Sequence, residues 1–307
     1  MLTSMSDAAA VRYAVLETRD LVETHRLIDL ETDAEVVVAP SRGGMVTDFR
    51  IGSDQILFLD RATLRDHSQN VRGGIPILFP VAGRLTDDAF SLEGERIAMP
   101  QHGFARRMAW HVTATDTADG ASLWLTLDSN DATLALWPFR FRAMFRYRLR
   151  EGALTILQRF ENRSDRPMPI HPGLHPYFLL ESGLKPLARV VTNGTHARDT
   201  RTGVTGPLTG PIDLAAGEVD LQILDQRQGI TVFHRPGRPS LTLTFDAAQP
   251  VVTVWTLPGR DFVCIEPWTR PSDAINRGDA ILVAPGDAYE ATFGIEQSPA
   301  ATSAPNH

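Results

Sequence analysis

Cysteine is almost absent from this sequence of 307 residues. The single cysteine, Cys264, excludes an internal disulfide and a cysteine-rich zinc site. A chain without disulfides is typical of a reducing compartment, so we expect a cytoplasmic protein.

Long apolar runs and an excess of positive charge are missing as well. No stretch approaches the ~18 apolar residues that a membrane span needs, and residues 1–12 lack the apolar segment of a secretory leader. The net charge of -7 leaves no basic footprint for nucleic acid or an anionic membrane. We therefore expect neither as a partner. The net charge is still compatible with a small neutral or anionic ligand, because a few local arginines suffice to bind an anion.

Alternation typical of β-strands is the dominant pattern in the chain. Runs rich in β-branched or aromatic residues predict strands over residues 35–38, 55–59, 122–127, 139–149, 154–160, 241–245 and 251–256. Turn residues separate these runs, as Glu151-Gly152 does between the fourth and the fifth. Residues 139–149 alternate apolar and polar side chains, which predicts a strand with one buried face that pairs antiparallel with the next. The sequence thus predicts an all-β protein.

No linker or change of composition divides the chain. We therefore predict a single domain over residues 1–307, with an ordered core at about 12–296. Residues 180–217 are rich in glycine, threonine and proline, and they predict a long excursion at the rim of a site. The small, polar tail over residues 297–307 is expected to fray.

A first chemical segment, residues 71–85, combines glycines and prolines with two arginines. Arg72 and Arg84 offer forked donors suited to hydroxyls, carboxylates or phosphate. The alternative is a surface loop with two solvated arginines. Gly73-Gly74 is not a nucleotide phosphate loop, since it lacks the Gly-Lys-Ser/Thr ending and the helix that would follow.

Two further segments, residues 100–110 and 170–178, place histidines in rigid loops. His171 and His175 are four apart, which on a helix would suggest a pair of metal ligands, but a proline follows each and makes a regular helix there unfavourable. We therefore expect no metal. His102 and His175 are candidate proton-transfer groups, and the alternative for each is a hydrogen-bonded structural histidine.

A fourth segment, residues 262–269, carries a glutamate inside an apolar strand. A carboxylate is costly to bury, so Glu266 is either paired with a cation or held for proton transfer. Trp268 offers a flat face to a sugar ring or packs in the core.

These segments together resemble the aldose 1-epimerase (galactose mutarotase) superfamily, from about residue 35 to residue 296. The motifs occur in the family's order: Arg-Gly-Gly-Ile-Pro with Phe-Pro and Gly-Arg-Leu, Gln-His-Gly-Phe-Ala-Arg, Gly-Leu-His-Pro-Tyr-Phe, Pro-Ile-Asp-Leu with a following Val-Asp, and Ile-Glu-Pro-Trp-Thr. The resemblance implies a supersandwich of twisted antiparallel sheets. It also implies a cleft that binds a pyranose without metal or cofactor.

The resemblance also assigns site residues. It implies that His102, His175 and Glu266 are catalytic. It implies a sugar-binding aspartate at Asp220, or at Asp213 in the nearby Pro-Ile-Asp-Leu.

The binding arginine of the family falls on Arg84, as in galactose mutarotases, or on Arg72, as in hexose-6-phosphate epimerases. Arg106, Tyr177 and Trp268 complete the expected substrate-binding set. The asparagine that usually precedes Gly-Arg in galactose-specific members is missing, as is the Asn-Leu that follows Tyr-Phe.

The expected reaction is exchange of the α and β anomers of an aldohexose. Glu266 is predicted to act as base at the C1 hydroxyl and His175 as acid at the ring oxygen, facing each other across a cleft one pyranose wide, with His102 sharing the acid's proton. A carboxylate neighbour is expected to raise the pKa of His175. The protein is expected to be a monomer or a homodimer.

Three alternatives stay open. One is a hexose-6-phosphate 1-epimerase, and another is a carbohydrate-binding module without activity. The third is a glycosidase, which needs two carboxylates that flank the scissile bond.

Overall fold

The computed structural model describes residues 11–226 and 229–298. The strands of this part, β1 to β25 in chain order, are Tyr13–Arg19, Glu23–Asp29, Ala34–Ala39, Met45–Ile51, Asp54–Gln55, Ile77–Leu78, Ala89–Leu92, Glu95–Ala98, His111–Asp116, Ala121–Asp128, Phe141–Arg150, Ala153–Asn162, Met168–Ile170, Gly173–Leu174, Tyr177–Leu179, Arg189–Val191, His196–Asp199, Thr205–Pro207, Val219–Ile223, Ile230–His234, Leu241–Phe245, Val251–Thr256, Phe262–Trp268, Ile281–Val283 and Ala288–Gln297. Two short α-helices, α1 and α2, cover Arg61–Arg65 and Asp131–Leu136. Single 3-10 turns cover Pro40–Arg42, Thr86–Asp88 and Ala105–Arg107, and a longer one covers Ser182–Leu187.

Two large antiparallel sheets dominate the architecture. One has the strand order β16-β20-β21-β25-β12-β11-β10-β9, and the other has the order β18-β17-β19-β22-β23-β14-β6, with β15 also paired to β23. The remaining sheets are a five-stranded one, β1 to β5, and two with two strands each, β7-β8 and β13-β24. The predicted all-β supersandwich is confirmed, and in the described part of the chain no helix is long and apolar enough to cross a membrane.

The β11–β12 hairpin shows why sequence pattern and sheet agree. The apolar positions of β11 are buried, and the alternating positions are half-buried up to Arg148 and exposed at Arg150. The two strands pair from Phe141 opposite Asn162 to Arg150 opposite Ala153, and Glu151 and Gly152 make the turn with positive φ angles of 53° and 73°. A period of two residues with one buried face therefore produced the predicted antiparallel pair.

One predicted strand, residues 55–59, is wrong in its extent. The strand β5 ends at Gln55, and beyond it Leu57 and Leu59 make isolated bridges to Phe178 and Gly73. The run still forms backbone hydrogen bonds, from the N–H of Phe58 to Tyr177 and from the N–H of Leu179 to Ile56, but they are too irregular to continue the strand.

The excursion at residues 180–217 is only partly loop. It contains β16, β17 and β18, which extend the edges of the two large sheets. Thr200 in this region and Glu218 directly after it line the cavity described below. In the predicted frayed tail, Gln297 ends β25 and the backbone N–H of Ser298 bonds Ser240, while residues 299–307 lie outside the described residues.

The hydrophobic core runs continuously between the sheets, from Leu27 to Ile295. At its centre Phe79 stacks on Phe160 at 5.0 Å and meets Phe141 edge-on at 4.9 Å. Because Phe79 follows the Arg-Gly-Gly-Ile-Pro motif, its burial anchors this loop against the large sheet that contains β11 and β12.

Gly74 is required for the same loop to approach β4 of the five-stranded sheet. Its φ is +63°, and a Cβ there would lie 2.2 Å from the backbone oxygen of Val46. Its own carbonyl accepts from the N–H of Tyr177, so the glycine ties the arginine motif to a histidine segment.

We expect Gly74→Ala to destabilise the fold far more than Gly52→Ala. Both glycines are left-handed, but nothing lies within 4 Å of a Cβ at Gly52. Gly52→Ala should therefore cost only the left-handed penalty of about 1–2 kcal/mol, and Gly74→Ala at least about 2 kcal/mol more, because backbone must shift. Urea unfolding of both variants measures the difference, and equal losses would contradict the role of the close approach.

Candidate active site

A cavity of about 510 Å³ opens beside β19, β22 and β23. All nine residues predicted for the site line it, namely His102, His175, Glu266, Arg72, Arg84, Arg106, Asp220, Tyr177 and Trp268. Asp213, the alternative to Asp220, does not line it; this exposed carboxylate accepts a bond from the N–H of Ala215 in a local turn.

The pairing of β23 explains why distant segments meet here. Gly173 of β14 lies opposite Trp268, and Tyr177 of β15 lies opposite Cys264. His175 sits between these two pairs, so its ring is carried to the side chain of Glu266. All seven residues of β23 are buried, which makes it the interior strand on which the site is built.

His102 is held by backbone contacts. It has a left-handed φ of 67°, its N–H donates to the carbonyl of Gly83, and its Nδ1 accepts from the N–H of Gly83 at 3.0 Å. Because Nδ1 accepts, the neutral ring carries its proton on Nε2. Burial, with smaller contributions from the charges of Arg106 and His175, lowers the pKa of His102 well below its usual value.

His175 lies against aromatic rings and against a carboxylate. Its ring stacks on Tyr177 at 4.6 Å, the edge of Trp255 meets it at 5.8 Å, and its Nδ1 is 3.5 Å from Oε1 of Glu266. Burial, assisted by the charges of Arg106 and Arg72, lowers the pKa of His175 to about 3. The expected rise in this pKa is therefore wrong, because loss of solvation is the largest effect and it lowers the pKa.

Glu266 is 1% exposed, and its Oε2 accepts a hydrogen bond from Nε1 of Trp268 at 3.2 Å. Burial raises the pKa of this carboxyl well above its usual value, and the charge of Asp220 adds to the rise. The bond from Trp268 and the charge of Arg106 oppose it. The site thus contains a carboxyl group with a raised pKa and two imidazoles with lowered pKa values.

One predicted geometry is wrong. Glu266 and His175 do not face each other across a gap one pyranose wide, because 3.5 Å between Oε1 and Nδ1 leaves no room for a ring. They are neighbours on one wall, so a ligand must meet both from the same side.

The three arginines differ in environment. Arg84 is exposed on 66% of its side chain and lies 3.5 Å from Asp88. Arg106 donates to the carbonyl of Gln101, its Nε has no hydrogen-bond partner within the described chain, and burial lowers its pKa to about 10. Arg72 is half-buried, and no carboxylate of the described residues lies within 4.0 Å of it or of Arg106. These two guanidinium groups therefore remain available for an anion.

Sequence reasoning missed several lining residues. Thr200, Glu218, Gln222, Thr253, Trp255 and Ser272 also face the cavity. Trp255 lies in the strand predicted over residues 251–256 and pairs with Cys264 of the neighbouring strand, but this register is not evident from the sequence.

Metal-ligating atoms converge at one place in the described chain. The ligand atoms of His175, Cys264 and Glu266 lie within 4.8 Å of one another, close enough for the three to hold an ion. Cys264 and Glu266 are two apart on one strand and so share a face, which the strand pattern could have indicated. His171, the other half of the rejected histidine pair, is not part of this group.

An all-β chain with a buried carboxylate beside two histidines in an open cavity has the construction of a small-ligand enzyme. The chain belongs to the aldose 1-epimerase family, whose model matches residues 26–296. The resemblance predicted from the sequence motifs is thus confirmed.

Two named relatives have low sequence identity to this chain. A protein of Salmonella typhimurium with the provisional name glucose-6-phosphate 1-epimerase is 30% identical over 100 residues, which are 32% of this chain and 31% of that protein. A protein of Cenchrus ciliaris with the same provisional name is 28% identical over 253 residues, 78% of this chain and 69% of its own. The match to the bacterial protein thus spans about a third of that protein.

Solved structures agree over nearly the whole chain. The Slr1438 protein of Synechocystis sp. PCC 6803 is 35% identical with a TM-score of 0.88, covering 93% of this chain and 99% of that one. A galactose mutarotase-like protein of Clostridium acetobutylicum has a TM-score of 0.80 at 18% identity, covering 94% and 99%. At that identity the likeness shows the fold.

His171 allows a test of burial electrostatics outside the cavity. It is completely buried, both ring nitrogens lack hydrogen-bond partners in the described residues, and burial lowers its pKa to about 3. An unfolded histidine binds a proton below about pH 6.5, so the unfolded state binds more protons than the folded state between these values. Stability should then fall as the pH falls, by about 1.4 kcal/mol per pH unit for this residue.

We expect His171→Leu to remove that part of the pH dependence. The slope of unfolding free energy against pH, measured by denaturant titrations between pH 6 and 5, should decrease by about 1.4 kcal/mol per unit. His67→Leu, at an exposed histidine, serves as the control and should keep the wild-type slope. An unchanged slope in His171→Leu would show that His171 does not resist protonation.

Proposed function

We propose that this protein is an aldose 1-epimerase in activity as well as in family, exchanging the α and β anomers of an aldohexose through ring opening. The observation that carries the proposal is the contact of His175 Nδ1 with Glu266 Oε1 at 3.5 Å on the wall of a cavity that also contains His102. A carbohydrate-binding module has no use for a buried acid–base pair, whose desolvation costs stability.

Mutarotation transfers two protons. The C1 hydroxyl loses one and the ring oxygen gains one, the bond between C1 and the ring oxygen breaks, and the aldehyde turns before the ring closes. We assign Glu266 as the base at the C1 hydroxyl and His175 as the acid at the ring oxygen, through Nε2 on the ring side away from Glu266. Both substrate oxygens are bonded to C1, so two groups side by side on one wall reach them together.

The Glu266–His175 pair carries one proton throughout. Before ring opening the pair is carboxylate and imidazolium, and after it the pair is carboxylic acid and neutral imidazole. Ring closure reverses both transfers. Burial raises the pKa of Glu266 and lowers that of His175, which favours the neutral tautomer. The pair is thereby biased toward the state that accompanies the open-chain aldehyde.

The remaining residues bind and orient the sugar. His102 has its ring proton on Nε2 and a ring centroid 5.3 Å from that of His175, so it donates a hydrogen bond where charge develops at the ring oxygen. Asp220 is half-buried in the cavity, and we assign it to ring hydroxyls, which fixes orientation more than chemistry.

A phosphorylated substrate is favoured by the arginines. Arg72 and Arg106 line the cavity without carboxylate partners in the described chain, and a guanidinium group is suited to binding phosphate. The provisional names of the relatives from Salmonella typhimurium and Cenchrus ciliaris point the same way. The second candidate activity is therefore that of a hexose-6-phosphate 1-epimerase in the cytoplasm.

We expect Glu266→Gln to slow anomer exchange by about two to four orders of magnitude, the range for a positioned proton-transfer group. Polarimetry of freshly dissolved α-glucose, or exchange NMR, measures the rate. Glu218→Gln is the matched control, because Glu218 lines the same cavity but is exposed, and it should stay within a few fold of wild type. A wild-type rate in Glu266→Gln would remove this residue from the mechanism, and the same holds for His175→Asn.

Arg72→Ala should separate the two substrate candidates. A charge-assisted bond to phosphate is worth about 1.5–3 kcal/mol, so KM for glucose 6-phosphate should rise about 10- to 100-fold, while KM for glucose changes little. Arg107→Ala removes the same charge from an exposed arginine that does not itself line the cavity, although it donates to the lining residue Asn70, and it should leave both values near wild type. Galactose and its 6-phosphate complete the panel, and equal KM values for phosphorylated and free sugars in every variant would favour the free aldose.

A further inference from the structure

Trp268 makes a hydrogen bond that differentiates the two oxygens of Glu266. The indole Nε1 donates to Oε2 at 3.2 Å, whereas Oε1 lies 3.5 Å from Nδ1 of His175. Trp268 is 4% exposed and Glu266 is 1% exposed. No other hydrogen bond to this carboxylate occurs among the residues that the structure describes, so the indole alone restrains its rotation by a directional bond.

The indole is itself fixed by glycines. A Cβ at Gly173 would lie 2.6 Å from Cδ1 of Trp268, and a Cβ at Gly83 would lie 3.1 Å from its Cζ3. The ring also packs in an apolar cluster with Leu78, Ala82 and Val251. A ring enclosed so closely cannot swing away, so the direction of its N–H is set by the fold.

The indole ring of Trp268 also contacts His102. Trp268 meets the ring of His102 edge-on at 5.8 Å, and Gly83, which packs on the indole, is also the residue whose N–H fixes Nδ1 of His102. One side chain thus contacts the proposed base directly and the proposed hydrogen-bond donor at its edge.

We propose that Trp268 is a positioning residue for Glu266: its N–H holds Oε2, so that Oε1 is the oxygen that exchanges a proton with the sugar. This replaces the interpretation of Trp268 as a flat platform for the pyranose, and it rests on the epimerase activity proposed above. Only Oε1 lies beside His175, so a rotated carboxylate would break the side-by-side geometry that the reaction needs.

The charged and titratable neighbours of Glu266 give the direction of the electrostatic effect. Cys264 precedes it on β23, Tyr177 faces it from β15, His175 from the loop before β15, Asp220 from β19, and Arg106 from the 3-10 turn at Ala105–Arg107. From β22 its register partner is the uncharged Thr253. The indole N–H and Arg106 are the groups that favour the carboxylate form, so loss of the N–H should make Glu266 harder to ionise.

The test is Trp268→Phe, which keeps an aromatic ring and removes the N–H. The midpoint of Glu266 ionisation, followed by the Cδ resonance of ¹³C-labelled glutamate and identified by its absence in Glu266→Gln, should move up by about one pH unit. In the anomer-exchange assay kcat should fall about tenfold, with KM within about twofold. Trp255→Phe is the matched control, since that indole bonds Glu218 instead, and it should leave the midpoint of Glu266 in place.

Two results would overturn the inference: an unmoved midpoint in Trp268→Phe, or a raised KM with kcat unchanged, which is the signature of a sugar platform. If Trp268→Phe does not fold, 3-benzothienylalanine at position 268 replaces the N–H by sulfur at nearly constant shape, and the same two outcomes decide. Absence of anomer exchange in the wild-type protein would instead end the proposed function, independently of the titration.

Discussion

Burial of a carboxyl group beside an imidazole is the constraint on which the rest of this site depends. Glu266 and His175 lie 3.5 Å apart with almost no exposure to solvent. Loss of solvation disfavours the charged form of each, raising the pKa of Glu266 and lowering that of His175. Burial therefore favours the carboxylic acid and the neutral imidazole, the state that accompanies the open-chain aldehyde in the proposed reaction.

The fold produces this burial by placing β23 inside a sheet. The strand pairs with β22 on one side and with β14 and β15 on the other, so both its edges are paired, and all seven of its residues, Glu266 included, are buried. Small residues make the enclosure tight: Gly173 and Gly83 give the indole of Trp268 its place, and Gly103 lets the His102 loop reach the backbone of Phe79. Because these glycines allow close packing, the side chains of Trp268 and His102 are held in fixed directions.

Charged residues in the wall of the cavity also shift the pKa values of Glu266, His102 and His175. Asp220 raises the pKa of Glu266, and Arg106 lowers it. Arg106 likewise disfavours protonation of His102 and His175. A bound anion near this arginine would offset that charge and make both histidines easier to protonate. Substrate phosphate and acid catalysis are thereby linked through one guanidinium group in the proposed function.

The sequence by itself determined the strand-rich architecture and the residue types of the site. Alternation over residues 139–149 suffices for a half-buried strand, and a glutamate within an apolar strand is conspicuous because its burial is costly. Tertiary structure alone decided that Asp220 rather than Asp213 faces the cavity, and that Glu266 and His175 are neighbours rather than opposed. The reason is that distances across a sheet depend on register and on long-range packing, which local pattern does not encode.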